Sequence, residues 1–152
     1  MTSDDSGAAQ AIANLLATYA ERVDAGDFAG VGELFSDATF RSVISGGVAT
    51  LTGASEVAET MKALVRTYDG SPRTRHVTTN LIVDVDVDTA SCRSYFTVLQ
   101  QRPGIGLGPI IAGRYHDRFA SVDGRWCFRD RLVFTDLVGD ISQHLRSDPF
   151  TL

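Results

Sequence analysis

The chain has 152 residues, a formal net charge of −5 at pH 7 and a sequence pI of about 5.0. Hydrophobic residues make up 43% and charged residues 22%, which is typical of one soluble globular domain and excludes a disordered chain, a collagen and a coiled coil. The acidic balance argues against a nucleic-acid partner, because attraction to phosphates requires a basic surface. No apolar run reaches the ~20 residues of a membrane span, so no membrane partner is expected.

The N-terminal sequence and the cysteines indicate a cytoplasmic protein. The opening segment MTSDDSGAAQ is acidic and polar, whereas a secretion signal is basic and then apolar. The two cysteines, Cys92 and Cys127, form no CxxC pair, so we expect free thiols. The histidines are scattered and no HExxH motif is present, so we expect no metal; the absence of GxSxG and phosphate-loop motifs argues against an α/β-hydrolase and a phosphate-loop protein.

The first half of the chain is predicted to be mainly helical. Residues 1–7 are expected to form a flexible N-terminus, after which apolar residues recur at the i, i+3, i+4, i+7 spacing of a helix with one buried face. Asp27 is placed to cap a second helix. The predicted elements are a helix over Ala8–Asp24, a helix over Asp27–Phe35, strands over Ala38–Ile44 and Val48–Leu51, and a helix over Ser55–Tyr68.

The second half is predicted to be mainly strand. Its elements are strands over Arg75–Asp88, Ser91–Arg102, Ile110–Val122 and Arg125–Asp136. The glycine-rich segment Pro103–Pro109 is interpreted as a flexible connector or pocket rim. Asp123-Gly124 predicts a type I′ hairpin turn, because that turn needs positive φ at both positions. The C-terminal tail, residues 137–152, is expected to add a short helical turn over Ser142–Leu145.

This order of elements predicts the fold class. Helices followed by a hairpin-connected sheet are typical of an α+β domain. We therefore expect a single domain over residues 1–152, a cone-shaped α+β barrel in which N-terminal helices pack on a strongly curved, mostly antiparallel sheet. The open end of such a cone is an apolar pocket, so the expected partner is a small apolar molecule.

Asp24 is the first candidate for chemistry. It flanks the buried face of the first helix and lies in the last helical turn, where the helix dipole disfavours a carboxylate. This placement predicts a raised pKa and a proton acceptor near neutral pH. A surface acid at the end of the helix is the alternative interpretation.

His76 is the second candidate, since a histidine can move protons near neutral pH. Strand alternation places Val77 and the valines that follow it on one face and His76 on the other. If the valine face points into the pocket, His76 points away from it. A β-bulge could reverse the alternation, or the valine face could be a dimer interface, and the sequence leaves both open.

Aromatic residues of the strands are candidates for substrate binding, because they combine a large apolar surface with, in tyrosine, a hydroxyl group. The candidates are Tyr95, Tyr115, Trp126 and Phe134. His116 alternates with Tyr115, so at most one of the two should face the pocket. Asp117 is expected to pair with Arg129 or Arg131 across the hairpin. His144 is interpreted as a solvent-exposed tail residue, with a pocket lid as the alternative.

Between Ile12 and Asp136 the chain resembles the SnoaL-like branch of the nuclear transport factor 2-like superfamily. The resemblance rests on LLATYAERVDAGDFAGVGELFSDATF, SPRTRHVTTNLIVDVD and GRYHDRFASVDGRWCFRDR. Within this branch the chain is most similar to the dehydratase type, represented by scytalone dehydratase and bile-acid dehydratase. The resemblance implies a homodimer or higher homo-oligomer and a cofactor-independent site built from Tyr19, Asp24 and His76.

The resemblance also implies a mechanism. Asp24 would fix the tautomer of His76, and His76 would remove a proton next to a carbonyl group. Tyr19 or Tyr115 would hold the carbonyl oxygen as an enolate develops. The implied activity is that of a lyase or isomerase acting on a small, apolar, oxygenated ring compound of polyketide or steroid type.

Relatives within the superfamily leave other functions open. Limonene epoxide hydrolases use an Asp-Arg-Asp constellation, to which Asp24 and either Arg93 or Arg114 could contribute, although the second acid is not evident. Small subunits of ring-hydroxylating dioxygenases have a structural role. A non-catalytic module that binds a small ligand or serves as a scaffold is therefore the alternative function.

Overall fold

The computed structural model describes residues 3–150. Its elements are α1 (Ser3–Asp24), α2 (Phe28–Leu34), β1 (Thr39–Ile44), β2 (Gly47–Thr52), α3 (Gly53–Leu64), β3 (Thr74–Asp86), β4 (Thr89–Arg102), β5 (Gly106–Val122) and β6 (Arg125–Val138). None of the helices in this part of the chain is long and apolar enough to cross a membrane. The predicted α+β class, with helices preceding the long strands, is confirmed.

The helices form where the apolar spacing predicts them. α1 begins at Ser3, so residues 3–7 are helical rather than a flexible N-terminus; residues 1 and 2 lie outside the described range. The predicted cap of α2 is confirmed, since the Asp27 carboxylate accepts the Gly30 backbone N–H at 2.9 Å. Near the C-terminus, the short helical turn that was expected over Ser142–Leu145 is present as one turn, in which the Leu145 N–H donates to the Ile141 carbonyl.

Two hairpins define the long strands. The Asp123-Gly124 turn has positive φ at both residues, 52° and 78°, as a type I′ turn requires. β5 begins inside the segment that was expected to be a flexible connector, because Gly106 and Gly108 pair with β4 residues. The glycine-rich segment is therefore largely part of a β-hairpin, and its exposed Leu107 lies on the outside of the molecule.

The strands form one sheet of order β2-β1-β6-β5-β4-β3, antiparallel except for the β1–β6 pair. The buried face of α1 joins residues of the sheet and of α2 in a single core that includes Ile12, Leu16, Phe35, Phe119 and Phe128. α1 lies beside the edge strand β3. This packing brings the last residue of the helix to the first residues of that strand.

A β-bulge in β3 decides which side chains face the interior. The pairing with β4 shifts between Thr79 and Ile82, where Asn80 has a φ of +58°. His76 faces inward before the bulge, and Val83 packs against the core after it. Val77 is exposed. The bulge that the sequence left open as one explanation is present, and it reverses the alternation along β3.

Candidate active site

Asp24 and His76 are in direct contact where α1 meets β3. Asp24 Oδ1 lies 2.6 Å from His76 Nδ1 and accepts the Thr74 hydroxyl at 2.8 Å, while Oδ2 accepts the His76 backbone N–H at 2.8 Å. The two side chains are 12% and 9% exposed. An ionised carboxylate can only accept, so this contact places the proton of the neutral imidazole on Nδ1 and leaves a lone pair on Nε2.

The electrostatics of Asp24 differ from the sequence-based expectation. Burial by itself raises the pKa of Asp24, but the hydrogen bonds and charge of His76, with the Thr74 hydroxyl, outweigh burial and hold the pKa below its ordinary value. The expected raised pKa is therefore wrong, because the helix dipole is weaker than these direct contacts. Asp24 is ionised at neutral pH, and it can orient His76 but is a poor proton acceptor.

An apolar cavity of about 290 Å³ lies next to this pair. Its apolar lining includes Phe40, Leu51, Met61, Leu64, Phe96, Val98, Ile111, Val133, Leu145 and Phe150. The polar side chains of its wall include Tyr19, His76, Tyr115 and His144. A larger open groove of about 1210 Å³ runs along the outside of α1 and β3 and touches the same Asp24–His76 pair. The smaller cavity is the better candidate site, since proton transfer is favoured where water is excluded.

Two tyrosines line the cavity, and a buried ion pair lies against their rings. The Tyr19 ring lies edge-on to the His76 ring at 6.4 Å and to the Tyr115 ring at 6.1 Å. The Arg131 guanidinium lies 4.3 Å and 3.7 Å from the two tyrosine ring centroids, and Asp117 holds it at 2.8 Å and 2.9 Å. Burial raises the pKa of both tyrosines by more than Arg131 lowers it. Both hydroxyls therefore stay protonated and can donate to a ligand oxygen.

Three residues that the sequence assigned to substrate binding lie outside the cavity. Tyr95 is exposed on the outer face of the sheet, because alternate residues of β4 face inward. Phe134 lies on the same outer face, where Arg114 stacks on its ring at 4.3 Å. Trp126 lies beside the 123–124 turn and packs against the rim of the core. The assignment of these three residues to the cavity is therefore corrected. Of the four aromatic residues predicted to bind the substrate, Tyr115 is the one that lines the cavity.

The expectations for β5 and β6 are confirmed. Tyr115 faces the cavity, whereas its neighbour His116 lies edge-on to Phe134 on the outer face, with the ring centroids 4.9 Å apart. Asp117 pairs with Arg131 across the hairpin, and not with Arg129. The sequence predicted this ion pair but not that its guanidinium lies against both cavity tyrosines.

The described residues contain no epoxide-hydrolase constellation in the cavity. Arg93 and Arg114 lie together on the outer face, where the latter binds the Asp136 carboxylate at 2.8 Å and 3.1 Å. Within residues 3–150 there is also no group of three His, Cys, Asp or Glu side chains that could hold a metal ion. Cys92 and Cys127 are free thiols, as expected.

His144 is the functional candidate that the sequence misplaced. It is 5% exposed and lines the cavity, although it was interpreted as a solvent-exposed tail residue. Its segment returns to the protein, since Leu145 pairs with Val65 after α3. The available signal was the spacing of Ile141 and Leu145, which places apolar side chains one helical turn apart around His144.

The helices, the sheet and the apolar cavity define an α+β domain, a fold shared with a nuclear transport factor 2-like protein of known structure. The chain belongs to the SnoaL-like domain family, whose model matches residues 5–132. No curated protein matches the chain.

Solved structures from several bacteria share this fold. A variant of Rv3472, a protein of unknown function from Mycobacterium tuberculosis, is 27% identical with a TM-score of 0.71, over 91% of this chain and 78% of that one. A candidate scytalone dehydratase from Novosphingobium aromaticivorans is 23% identical with a TM-score of 0.72, over 92% and 91% of the chains. The beta subunit of a candidate aromatic-ring-hydroxylating dioxygenase from the same organism is 21% identical with a TM-score of 0.72, over 89% and 93%. The last two show a common fold and do not decide between catalysis and a structural role.

Proposed function

We propose that the protein is a cofactor-independent lyase or isomerase of dehydratase type, acting on a small, apolar, oxygenated ring compound. The observation that carries the proposal is the 2.6 Å contact between Asp24 Oδ1 and His76 Nδ1 at the wall of an apolar cavity. This contact supplies an oriented base with its free lone pair on Nε2, beside a cavity with a mostly apolar lining. The likeness in fold to a candidate scytalone dehydratase is consistent with this chemistry.

The proposed reaction begins with proton transfer to His76. Nε2 takes a proton from the carbon next to the carbonyl group, and the electron pair of that C–H bond forms an enolate. The imidazolium is stabilised by the Asp24 carboxylate, and the enolate oxygen accepts hydrogen bonds from the hydroxyls of Tyr19 and Tyr115. In a dehydration the enolate then expels a β-hydroxyl group, which leaves as water with the proton from Nε2. In an isomerisation the proton returns to a different carbon.

The cavity limits the substrate by size and polarity. Its volume of about 290 Å³ lies at the lower end of the range for small-molecule sites. Its lining is mostly aliphatic and aromatic, which favours a flat ring compound. Of the two substrate types, a small polyketide-like ring system therefore fits this volume better than a steroid.

Hydrogen exchange of 2-tetralone in D₂O tests the first step, because this ketone carries acidic protons next to its carbonyl group. We expect the protein to accelerate exchange measured by proton NMR. Asp24→Asn and His76→Ala should each lower the accelerated rate by 10²-fold or more, the order of magnitude expected for a positioned base. His116→Ala is the matched control, because His116 lies on the outer face of the sheet. Exchange at the buffer rate with the wild-type protein, or an undiminished rate in Asp24→Asn, would contradict the mechanism.

The alternative is a non-catalytic module that retains a small ligand or serves as a scaffold. One feature of the site favours it: Asp24 also binds the Thr74 hydroxyl and the His76 backbone N–H, and these bonds join α1 to β3. In this case Asp24→Asn would lower the free energy of unfolding, and the 2-tetralone protons would exchange at the buffer rate. Exchange by the wild-type protein therefore separates the two functions, and urea denaturation shows whether the Asp24→Asn variant is still folded when its exchange rate is measured.

A further inference from the structure

The segment that follows β6 carries an imidazole into the cavity and is firmly held there. The Gln143 carbonyl accepts bonds from the Tyr68 hydroxyl at 2.7 Å and the Gln100 amide at 3.0 Å. The next carbonyl, that of His144, accepts the Arg66 backbone N–H at 2.7 Å. Backbone bonds on successive residues hold the main chain at His144, and its side chain is buried, so the ring has little freedom, as a group that orients a substrate requires.

The ring nitrogens of His144 differ in their surroundings. Nδ1 is sealed from solvent and has no hydrogen-bond partner among the described residues, which is rare for a buried polar atom. An unpartnered buried acceptor costs less than an unpartnered buried N–H. The favoured tautomer therefore has its lone pair on Nδ1 and its proton on Nε2. Nε2 is the nitrogen through which His144 can reach the contents of the cavity.

The charge of His144 is set by burial and by the neighbouring pair. Burial lowers its pKa to about 4, the charge of His76 adds to this effect, and the Asp24 carboxylate opposes it. His144 is therefore neutral at pH 7. A neutral imidazole is a hydrogen-bond donor and not a proton donor, the role that a neutral histidine has towards a carbonyl group in triosephosphate isomerase.

We propose that His144 is a substrate-binding residue that donates its Nε2–H to an oxygen atom of the ligand, at a position separate from the oxygen held by the tyrosines. The inference rests on the proposed function, since it takes the cavity to be the substrate site. It specifies that function further: the substrate carries two oxygen groups on its ring system, one beside His76 and one beside His144.

Binding of dihydroxynaphthalenes tests this assignment without any turnover. The probes are 2-naphthol and a set of dihydroxynaphthalenes that carry the second hydroxyl at different ring positions, measured by isothermal titration calorimetry. At least one of the set should bind the wild-type protein about 3- to 10-fold more tightly than 2-naphthol, as one added hydrogen bond predicts. His144→Phe should abolish this preference, and His144→Gln, which keeps an N–H donor, should retain part of it. His116→Phe is the matched control and should leave the preference unchanged.

Nitrogen NMR of labelled histidine supplies a second measurement that needs no variant. We expect the Nε2–H tautomer at His144 and a change in its Nε2 shift when the preferred probe is added. The proposal is overturned if the preference survives in His144→Phe, if no dihydroxynaphthalene is preferred, or if His144 carries its proton on Nδ1. Loss of the hydrogen-exchange activity in the proposed function would not produce any of these results, so the two failures are distinguishable.

Discussion

Asp24 shows how one side chain can serve stability and chemistry together. Its carboxylate accepts bonds from the Thr74 hydroxyl and from both the ring and backbone nitrogens of His76. Each bond lowers its pKa, so the carboxylate stays ionised in spite of partial burial. A sequence pattern can place an acid at the end of a helix, but it cannot count the donors that another element brings to that acid. This is why the direction of the pKa shift was mispredicted.

The titration of His144 predicts a specific loss of stability in acid. Its pKa falls from the ordinary 6.5 to about 4 on folding, so between these values the unfolded chain binds more protons than the folded chain. The free energy of unfolding should therefore decrease as the pH falls through this interval, by roughly 3 kcal/mol in total. The corresponding loss from Asp24, whose pKa is lowered from 3.8, occurs at still lower pH.

Urea denaturation between about pH 7 and pH 4 measures this loss. The pH dependence should be flatter in His144→Gln than in the wild type, since glutamine does not titrate. His116→Gln removes a histidine from the outer face and should keep the wild-type slope. Parallel curves for the wild type and His144→Gln would mean that folding does not lower the pKa of His144.

The surroundings of Arg131 could be predicted from the sequence only in part. In the register that the Asp123-Gly124 turn sets, Asp117 would lie opposite Asp130, and the register shift between Arg118 and Phe119 is what brings Arg131 opposite Asp117. The stacking of Arg131 against Tyr19 depends on how α1 crosses the sheet, which no local pattern encodes. The sequence therefore indicated Arg129 and Arg131 as possible partners, but the register shift that selects Arg131 and its place behind the cavity wall are both tertiary features.

At the scale of elements, the bulge in β3 is what allows one strand to serve two purposes. Strict alternation would turn either His76 or Val83 away from the interior. The shift between Thr79 and Ile82 lets both face inward, at the cost of a left-handed conformation at Asn80. The sequence contains the residue type that tolerates this conformation, but asparagine is common in ordinary strand-end positions too, so the bulge could only be kept as an alternative.

Substitutions at Asn80 test the bulge. Asn80→Val should lower the free energy of unfolding by about 1–2 kcal/mol, because a β-branched residue is strained at positive φ. Asn80→Gly should be close to neutral, since glycine adopts this conformation freely. Thr79→Val, at the neighbouring exposed position without positive φ, is the control and should change stability little. Equal stabilities of Asn80→Val and Asn80→Gly in urea denaturation would argue against the bulge.

At the scale of the whole molecule, local signals specified the architecture better than they specified the cavity. Helix spacing, the Asp27 cap and the hairpin turn were enough to predict α-helices followed by an antiparallel sheet. The cavity depends on three parts that are distant in sequence: α1, the sheet and the segment carrying His144. That segment was mispredicted because its polar residues resemble an exposed tail, and its bonds to Arg66 and Gln100 are tertiary.

The outer face of the sheet is the surface through which we expect the chain to form a homodimer. Ile82 and Tyr95 are 51% and 55% exposed on neighbouring strands, and Val77 and Leu81 are 39% and 37% exposed beside them. A patch of apolar side chains on two adjacent strands is typical of an interface, and a stable dimer buries roughly 800 Å² on each partner. A two-fold axis beside this patch would place the patch of one copy against the same patch of the second copy, as a closed symmetric dimer requires.

Light scattering at micromolar concentration measures this association. The wild-type chain should have twice the monomer mass, and the double variant Ile82→Lys with Tyr95→Lys should be monomeric, because the added charges would be buried in the interface beside Arg93 and Arg114, which carry the same sign. Val48→Lys is the matched control: Val48 is 53% exposed on β2, at the opposite edge of the sheet, and the charge there should leave the dimer intact. A monomeric wild-type protein would contradict the prediction, and a dimer that persists in the double variant would place the interface on another surface. Because Asp24 and His76 lie on the inner side, the monomeric variant should still exchange 2-tetralone protons if each subunit holds a complete site.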